Sequence, residues 1–249
     1  MAQAIGIIPA RYGSTRFPGK PLALIGGLPM VQHVYRRALR ARRLRQVVVA
    51  TDDRRILDCV HGFGGAAVMT SRRHRSGTDR IDEVMRKFEF RNSKFGIVVN
   101  IQGDEPLVDP RAIDRLVEGL EASPGAAMAT LVGRFADRRE LASPHTVKVV
   151  LDGRGDALYF SRSAIPYARG PGPRLDQYYK HIGVYAYRSD FLRQFCSWGP
   201  GRLERAEQLE QLRALEHGAR IRCLAIGRGW PAVDTPQDLA RLARRGGGR

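Results

Sequence analysis

The stretch Ile5 to Pro21, IGIIPARYGSTRFPGKP, gathers Arg11, Ser14, Thr15, Arg16 and Lys20 among Gly13, Pro18, Gly19 and Pro21. Glycine reaches backbone angles that other residues resist, and proline fixes its own angle and lacks an N–H, so the stretch reads as a loop. It follows a short apolar run, Ile5 to Pro9, that reads as a strand. Backbone amides, two hydroxyls and three cations on one loop suit a polyphosphate. A surface turn that is basic only because the whole chain is Arg-rich is the competing reading. The pattern is not a Walker loop: five residues separate Gly13 from the Gly19-Lys20 pair, and Pro21 replaces the Ser or Thr that would hold magnesium.

Carboxylates appear where strands should end. Ile97 to Ile101 is nearly continuously apolar, as expected of a strand buried on both faces, and runs into Gln102-Gly103-Asp104-Glu105-Pro106. Ligands of open α/β sheets gather at the carboxyl ends of strands; a turn rich in Gly, Asp and Pro explains the same residues. Val233-Asp234-Thr235-Pro236 reads as a helix start with Thr235 as N-cap and Pro236 at the first helical position, which leaves Asp234 outside the needs of the cap. Two carboxylates from distant loops would make a hard oxygen site suited to Mg²⁺.

Arg72 to Arg80 leads into a helical pattern at Ile81, Val84, Met85 and Phe88. Ser76 or Thr78 can cap it, and a helix N-terminus beside Arg75 and Arg80 can take an anion or a base; capping alone also accounts for the Ser and Thr. His181 to Arg188 alternates as a strand, placing His181, Gly183, Tyr185 and Tyr187 on one face. His181 and Tyr185 can therefore meet one ligand, or pack at a lobe boundary. His33, His61, His74, His145 and His217 have no comparable setting.

The elements around these residues alternate. Pro29 to Leu44 reads as an amphipathic helix, Val47 to Ala50 as a strand, Ile56 to Val60 as a helix, Ala66 to Met69 as a strand, Pro110 to Leu120 as a helix and Ala127 to Val132 as a strand. This predicts an α/β fold, with a mostly parallel sheet flanked by helices. Val147 to Leu151 and Ala157 to Ser161 read as a β-hairpin across Asp152 to Gly155, which breaks the alternation. We therefore expect a mixed, smaller lobe over about residues 134–200 within a single domain spanning 1–249. Leu203 to His217 reads as one helix ended by Gly218, followed by a strand at Ile221 to Ile226.

The length of 249 residues supports a sizeable core, since a chain of this size buries roughly 70 to 75% of its unfolded surface. Cys59, Cys196 and Cys223 are odd in number and far apart, which argues against a disulfide framework or a zinc site and for a reducing cytoplasm. No targeting segment or membrane span is legible. The formal charge of +17 invites a nucleic-acid reading, because clustered cations gain affinity by releasing counterions. Only five of the 42 basic residues are lysine, however, and the arginines are scattered, as at Arg36, Arg37, Arg40, Arg42, Arg43 and Arg45, without interleaved aromatics. The charge reads as general affinity for polyanions, with no specific nucleic-acid partner.

In chain order these motifs resemble those of the 3-deoxy-manno-octulosonate (Kdo) cytidylyltransferases, the CMP-Kdo synthetases. IIPARYGSTRFPGKPL resembles their nucleotide-binding signature, and SGTDR looks like their nucleotide-contacting SGTER. QGDEP matches residue for residue. VKVVLDGRGDALYFSRSAIP resembles their hairpin segment, and VDTPQDL their VDTPEDL, with Gln237 departing where the helix begins.

The resemblance implies a Rossmann-like nucleotidyltransferase fold that joins CTP and Kdo into CMP-Kdo and pyrophosphate. It implies Mg²⁺ on Asp104 and Asp234, nucleotide contacts from Arg11, Ser14, Lys20, Ser76, Gly77, Arg80, Gln102 and Asp104, and sugar contacts from Gln102, Arg162, His181, Tyr185 and Glu210. Arg11, Lys20, Asp104 and Asp234 would carry the catalysis. A homodimer in the cytoplasm, serving lipopolysaccharide assembly, is part of the same expectation. The alternatives are another acidic acceptor, such as 8-amino-Kdo or sialic acid, and a non-catalytic nucleotide or nucleic-acid binding protein.

Overall fold

The computed structural model describes residues 3–13, 17–89, 95–170 and 172–246. In chain order they form β1 (Ala4–Ala10), β2 (Leu24–Ile25), β3 (Leu28–Pro29), α1 (Met30–Ala38), β4 (Leu44–Thr51), α2 (Arg54–Gly62), β5 (Ala67–Met69), α3 (Gly77–Glu89), β6 (Ile97–Asn100) and α4 (Pro110–Glu121). There follow β7 (Met128–Gly133), α5 (Arg138–Ala142), β8 (Lys148–Leu151), β9 (Ala157–Ser161), β10 (Tyr179–Arg188), α6 (Ser189–Ser197), α7 (Arg202–Glu207), α8 (Leu212–Glu216), β11 (Ile221–Ala225) and α9 (Pro236–Gly246). The chain divides into two units, one of Ala2–Asp114 with Trp230–Arg249 and the other of Arg115–Gly229.

In the first unit, β1 pairs in parallel with β4 and β6, and β4 in parallel with β5. All four residues of β6, Asn100 among them, are buried, which is why the sequence there is nearly all apolar, without alternation. α1 turns Met30, Val31, Val34, Tyr35 and Ala38 inward. The sequence predicted that this helix would run to Leu44, but it stops at Ala38. Turns at Arg40 and Ala41 intervene, and the Asp114 carboxylate takes the Arg43 N–H at 2.8 Å, releasing the chain into β4. α2 covers the expected Ile56 to Val60 and begins two residues before it, capped by Asp53, whose carboxylate accepts the Arg55 N–H at 3.0 Å.

α9, from the far end of the sequence, also belongs to this unit. Thr235 caps it by accepting the Asp238 N–H at 3.2 Å, and the Asp238 carboxylate accepts from the Thr235 N–H at 3.0 Å. Val233 and Leu242 pack with Ile25 and Met30, against partly buried Phe17, Leu107 and Leu239. Each such buried side chain contributes about 1.5–3 kcal/mol. That apolar burial holds the loop before α9 beside the stretch after β1.

In the second unit β7 is flanked by β11 in parallel and β10 in antiparallel register, and β8 pairs antiparallel with both β9 and β10. The predicted hairpin and mixed pairing are therefore present. The predicted single helix over Leu203 to His217 is not: it is two short helices, α7 and α8, divided at Gln208, whose φ of 52° is left-handed. The break is tertiary in origin. Glu207 turns its carboxylate to the Ser161 hydroxyl at 2.6 Å and the Arg162 N–H at 2.9 Å, while the Arg162 guanidinium takes the Glu207 and Gln208 carbonyls that would otherwise continue the helix.

Candidate active site

β1 delivers the chain to the basic loop, whose base is fixed by packing. Gly19 sits at a φ of 70°, and its N–H donates to the Tyr12 carbonyl at 2.9 Å. A Cβ on Gly19 would stand 3.2 Å from the Tyr12 ring. The other support of that ring is the Arg55 guanidinium, 3.4 Å from its centroid. Arg55 is itself bound in fork fashion to Asp53, at 2.9 and 2.7 Å, and this pairing holds the Asp53 carboxyl below its ordinary range. Its charge is thus committed to the scaffold. Ser14, one of the expected nucleotide contacts, lies with Thr15 and Arg16 outside the described residues.

Lys20 opens a short 3-10 turn, Lys20–Leu22. Its ammonium donates to Asp104 Oδ2 at 2.7 Å and to the Val233 carbonyl at 3.1 Å, and lies 3.6 Å from Asp234 Oδ1. Two carboxylates far apart in sequence thereby meet one cation. The Asp104 loop sits close because residue 103 is glycine: a Cβ there would lie 2.8 Å from the Pro9 carbonyl oxygen, at the end of β1.

α3 begins at the cavity that this group also lines. Ser76 is its cap, accepting the Asp79 N–H at 3.1 Å while the Asp79 carboxylate accepts the Ser76 N–H at 3.3 Å. Asp79 thus serves as the third residue of a capping box. Arg80 follows, 3% exposed, held by Asp52 at 2.8 Å and by the Thr70 hydroxyl. His74, which has no distinctive setting in the sequence, pairs with Glu83. Burial opposes ionisation of Glu83, but hydrogen bonds from Lys87, the Ser71 N–H and His74 outweigh it and bring its carboxyl down to about 2.

A cavity of about 370 Å³ is lined by Pro9, Ala10, Arg11, Lys20, His74, Arg75, Ser76, Gly77, Arg80, Gln102, Gly103, Asp104 and Asp234. Every described residue expected to contact the nucleotide or carry the catalysis is among them. Cations together with a capped helix start suit a triphosphate carrying a base. Among the described residues no cluster of three or more His, Cys, Asp or Glu marks a protein-only metal cage.

The remaining expected sugar contacts, Arg162, His181, Tyr185 and Glu210, lie in the second unit. His181 and Tyr185 are together, with ring centroids 5.4 Å apart. The pairing of β10 with β7 is irregular between Ile182 and Tyr185, but the displaced Gly183 and Val184 are two residues, so both rings keep one face. The Thr130 hydroxyl fills the irregularity, near the Ile182 and Val184 carbonyls at 3.1 and 3.0 Å and 3.0 Å from His181 Nε2. With its proton given to a carbonyl, it accepts from Nε2–H and leaves Nδ1 as the imidazole's acceptor. Burial pushes the His181 pKa down to about 3, so the ring is neutral at pH 7.

The Arg162 side chain lies against backbone carbonyls. Its guanidinium donates to the carbonyls of Glu207 at 2.7 Å, Pro144 at 2.9 Å and Gln208 at 3.3 Å. Glu210 lies just beyond this clamp, 3.7 Å from Arg213. Lys148, fully buried, ties the Ser143 and Arg162 carbonyls at 2.8 and 2.6 Å, and burial pushes its pKa down. Sequence reasoning missed Glu207 and Thr130, since each acts through a partner distant in the chain, and Lys148, whose carbonyl partners no local pattern marks.

A family model described as cytidylyltransferase matches residues 5–221. A 3-deoxy-manno-octulosonate cytidylyltransferase of Desulfatibacillum aliphaticivorans is 51% identical, over 96% of this chain and 97% of that one. An 8-amino-3,8-dideoxy-manno-octulosonate cytidylyltransferase of Shewanella piezotolerans is 50% identical, over 95% of this chain and 97% of its own. A solved CMP:2-keto-3-deoxy-manno-octonic acid synthetase complexed with CTP is 46% identical and superposes with a TM-score of 0.92, covering 98% of each chain.

Proposed function

The chain belongs to the cytidylyltransferase family, and from that premise we propose that it joins CTP to 3-deoxy-D-manno-octulosonate, forming CMP-Kdo and releasing pyrophosphate. The observation that carries the reading is the convergence of Asp104 and Asp234 on Lys20 within a cavity that also holds Arg11, Arg80 and the start of α3. Relatives named for this reaction, at about half identity over nearly the whole chain, support the choice of substrates.

The residues fit Mg²⁺. Asp104 Oδ2 and Asp234 Oδ1 already face one cationic nitrogen, and two carboxylates plus substrate phosphates are the hard oxygen set this ion prefers. Bound by Asp104 and Asp234, Mg²⁺ would polarise the phosphate oxygens and favour loss of the sugar hydroxyl proton. Around it, Lys20 and Arg11 neutralise the charge that gathers on the departing pyrophosphate. The N–H groups at the start of α3 and the Arg80 side chain hold the nucleotide, with Gln102 facing both substrates. His181 Nδ1 accepts from a sugar hydroxyl, with Tyr185 and Glu210 completing the polar set. Arg162 contributes through the segment it clamps. The same reading carries a homodimer in the cytoplasm and a role in lipopolysaccharide assembly.

A second acceptor is favoured by a specific observation, the 50% identity to enzymes named for 8-amino-3,8-dideoxy-manno-octulosonate. Pyrophosphate release measured with CTP, Mg²⁺ and each sugar acid, beside Asp104→Ala, Asp234→Ala and the other nucleoside triphosphates, decides between them. Release that needs CTP, Kdo and both aspartates establishes the reaction; turnover only with the amino sugar moves the acceptor. Silence with every acceptor overturns the catalytic reading.

A further inference from the structure

Hydrogen bonds that do not involve Lys20 also join the two aspartate-bearing loops. The Val233 N–H donates to the Asp104 carbonyl at 2.9 Å, and the Trp230 indole N–H donates to Glu105 Oε2 at 3.0 Å. Glu105 is 8% exposed, and its backbone closes the turn, its N–H donating to the Gln102 carbonyl at 3.2 Å and its carbonyl accepting the Val108 N–H at 3.0 Å. Neither Glu105 nor Trp230 lines the cavity. One residue beside Asp104 is therefore fastened to a residue four before Asp234, across a sequence separation of 125.

We propose that the Trp230–Glu105 hydrogen bond is a brace that sets the spacing of Asp104 and Asp234, making both positioning residues for the metal–nucleotide site. The inference rests on the reading of these aspartates as Mg²⁺ ligands. Mg²⁺ tolerates little departure from its octahedral distances, so ligands on two separate loops need a fixed separation. The Val233 bond and the packing of the Val233 side chain hold the loop at that residue and leave rotation about it. A second bond, one residue along on one side and three residues back on the other, opposes that rotation. An indole N–H on a carboxylate is suited to the task, because a charged acceptor strengthens the bond and the bicyclic ring, partly buried, has only two side-chain torsions to fix.

The test compares the full-length protein with Trp230→Phe, which keeps an aromatic ring but loses the donor, and Glu105→Gln, which keeps a neutral acceptor. Two quantities are read: the Mg²⁺ concentration for half-maximal pyrophosphate release, and the gain in melting temperature that Mg²⁺ adds over CTP alone. Trp230→Phe is expected to raise the Mg²⁺ half-saturation about tenfold and to shrink the Mg²⁺-dependent gain, the lower end of what loss of one hydrogen bond to a charged group produces. Glu105→Gln is expected to raise it about twofold, and KM for the sugar acid should stay level in both. A merely structural contact would lower the starting melting temperature and leave both Mg²⁺ readouts at wild-type values, which overturns the proposal. If Trp230→Phe does not fold, Glu105→Gln decides on the same two readouts, an unchanged Mg²⁺ requirement overturning it. A wild-type protein that shows the Mg²⁺-dependent gain but releases no pyrophosphate refutes the assigned reaction, while the melting comparison still judges the brace.

Discussion

Lys20 Nζ stands 2.7 Å from Asp104 Oδ2 and, by the same nitrogen, 3.6 Å from Asp234 Oδ1. A single ammonium thus bridges the two carboxylates assigned to the metal. Lysine and a divalent cation compete for the same oxygens, and a triphosphate would draw the ammonium away from them. Replacing Lys20 with Met should therefore do two opposite things. Mn²⁺ affinity measured without nucleotide, by electron spin resonance, should rise about tenfold, while turnover falls by at least about a hundredfold from lost charge stabilisation. Unchanged Mn²⁺ affinity would dispose of the competition.

Asp52 is expected to matter for nucleotide affinity although it does not line the cavity. It holds Arg80 at 2.8 Å, with side-chain exposures of 4% for Arg80 and 16% for Asp52. Breaking one side of so buried a pair leaves a charge unmatched, at a cost of about 3–5 kcal/mol when the partner is removed outright. Asp52→Asn keeps the shape and an acceptor, so the protein should fold. KM for CTP should rise about tenfold with kcat changed much less, and preference for CTP over UTP should narrow. Steady-state kinetics with both nucleotides check this; a fall in kcat alone would place Asp52 elsewhere in the mechanism.

What was legible in the sequence was what neighbours in the chain decide. Thr235-Pro236 announces the start of α9 because cap and first turn lie within four residues, and Asp234 is conspicuous because that cap does not need it. Gly103 before Asp104 marks a close approach because the residue lies at the end of a nearly continuous apolar strand. The division of α7 from α8 was not legible. Leu203 to His217 has helical periodicity throughout, and what overrides it is Arg162, 45 residues earlier, taking the Glu207 carbonyl. The Trp230–Glu105 contact escaped for the same reason. Nothing local in GRGWPAVDTP says that an indole will meet the carboxylate of QGDEP.

Arg162 tests whether the clamp serves the sugar. Its three carbonyl acceptors lie on two segments, at Pro144 and at Glu207 and Gln208, the latter leading directly to Glu210. Arg162→Lys keeps the charge, but one ammonium on a flexible stem cannot reproduce the planar fork. KM for the sugar acid should rise about tenfold or more while KM for CTP stays within about twofold, and the melting temperature should fall by a few degrees, as loss of about 1 kcal/mol produces. Equal losses for both substrates would refute the division of labour between the units.

His181 predicts how stability depends on acidity. Its folded pKa is down at about 3 against an ordinary 6.5, the cause being burial. Below about pH 6.5 the unfolded chain takes up a proton that the folded ring refuses. The unfolded state then binds more protons, and stability rises with pH throughout that window. The contribution is fully present above the unfolded value and is lost as pH falls towards 3, on the order of 1 kcal/mol per pH unit. His181→Gln removes the titrating group while retaining polar atoms near Thr130. Urea unfolding of both proteins at about pH 7.5 and about pH 5 should show the wild type losing more stability between the two than the variant does. The variant is expected to be the less stable at the higher pH, where the neutral imidazole keeps its bond to Thr130 and its packing on Phe160 and Tyr185. Parallel losses in the two proteins would mean that His181 exchanges protons with solvent in the fold, and that its neutrality cannot be what leaves Nδ1 free to accept from the sugar.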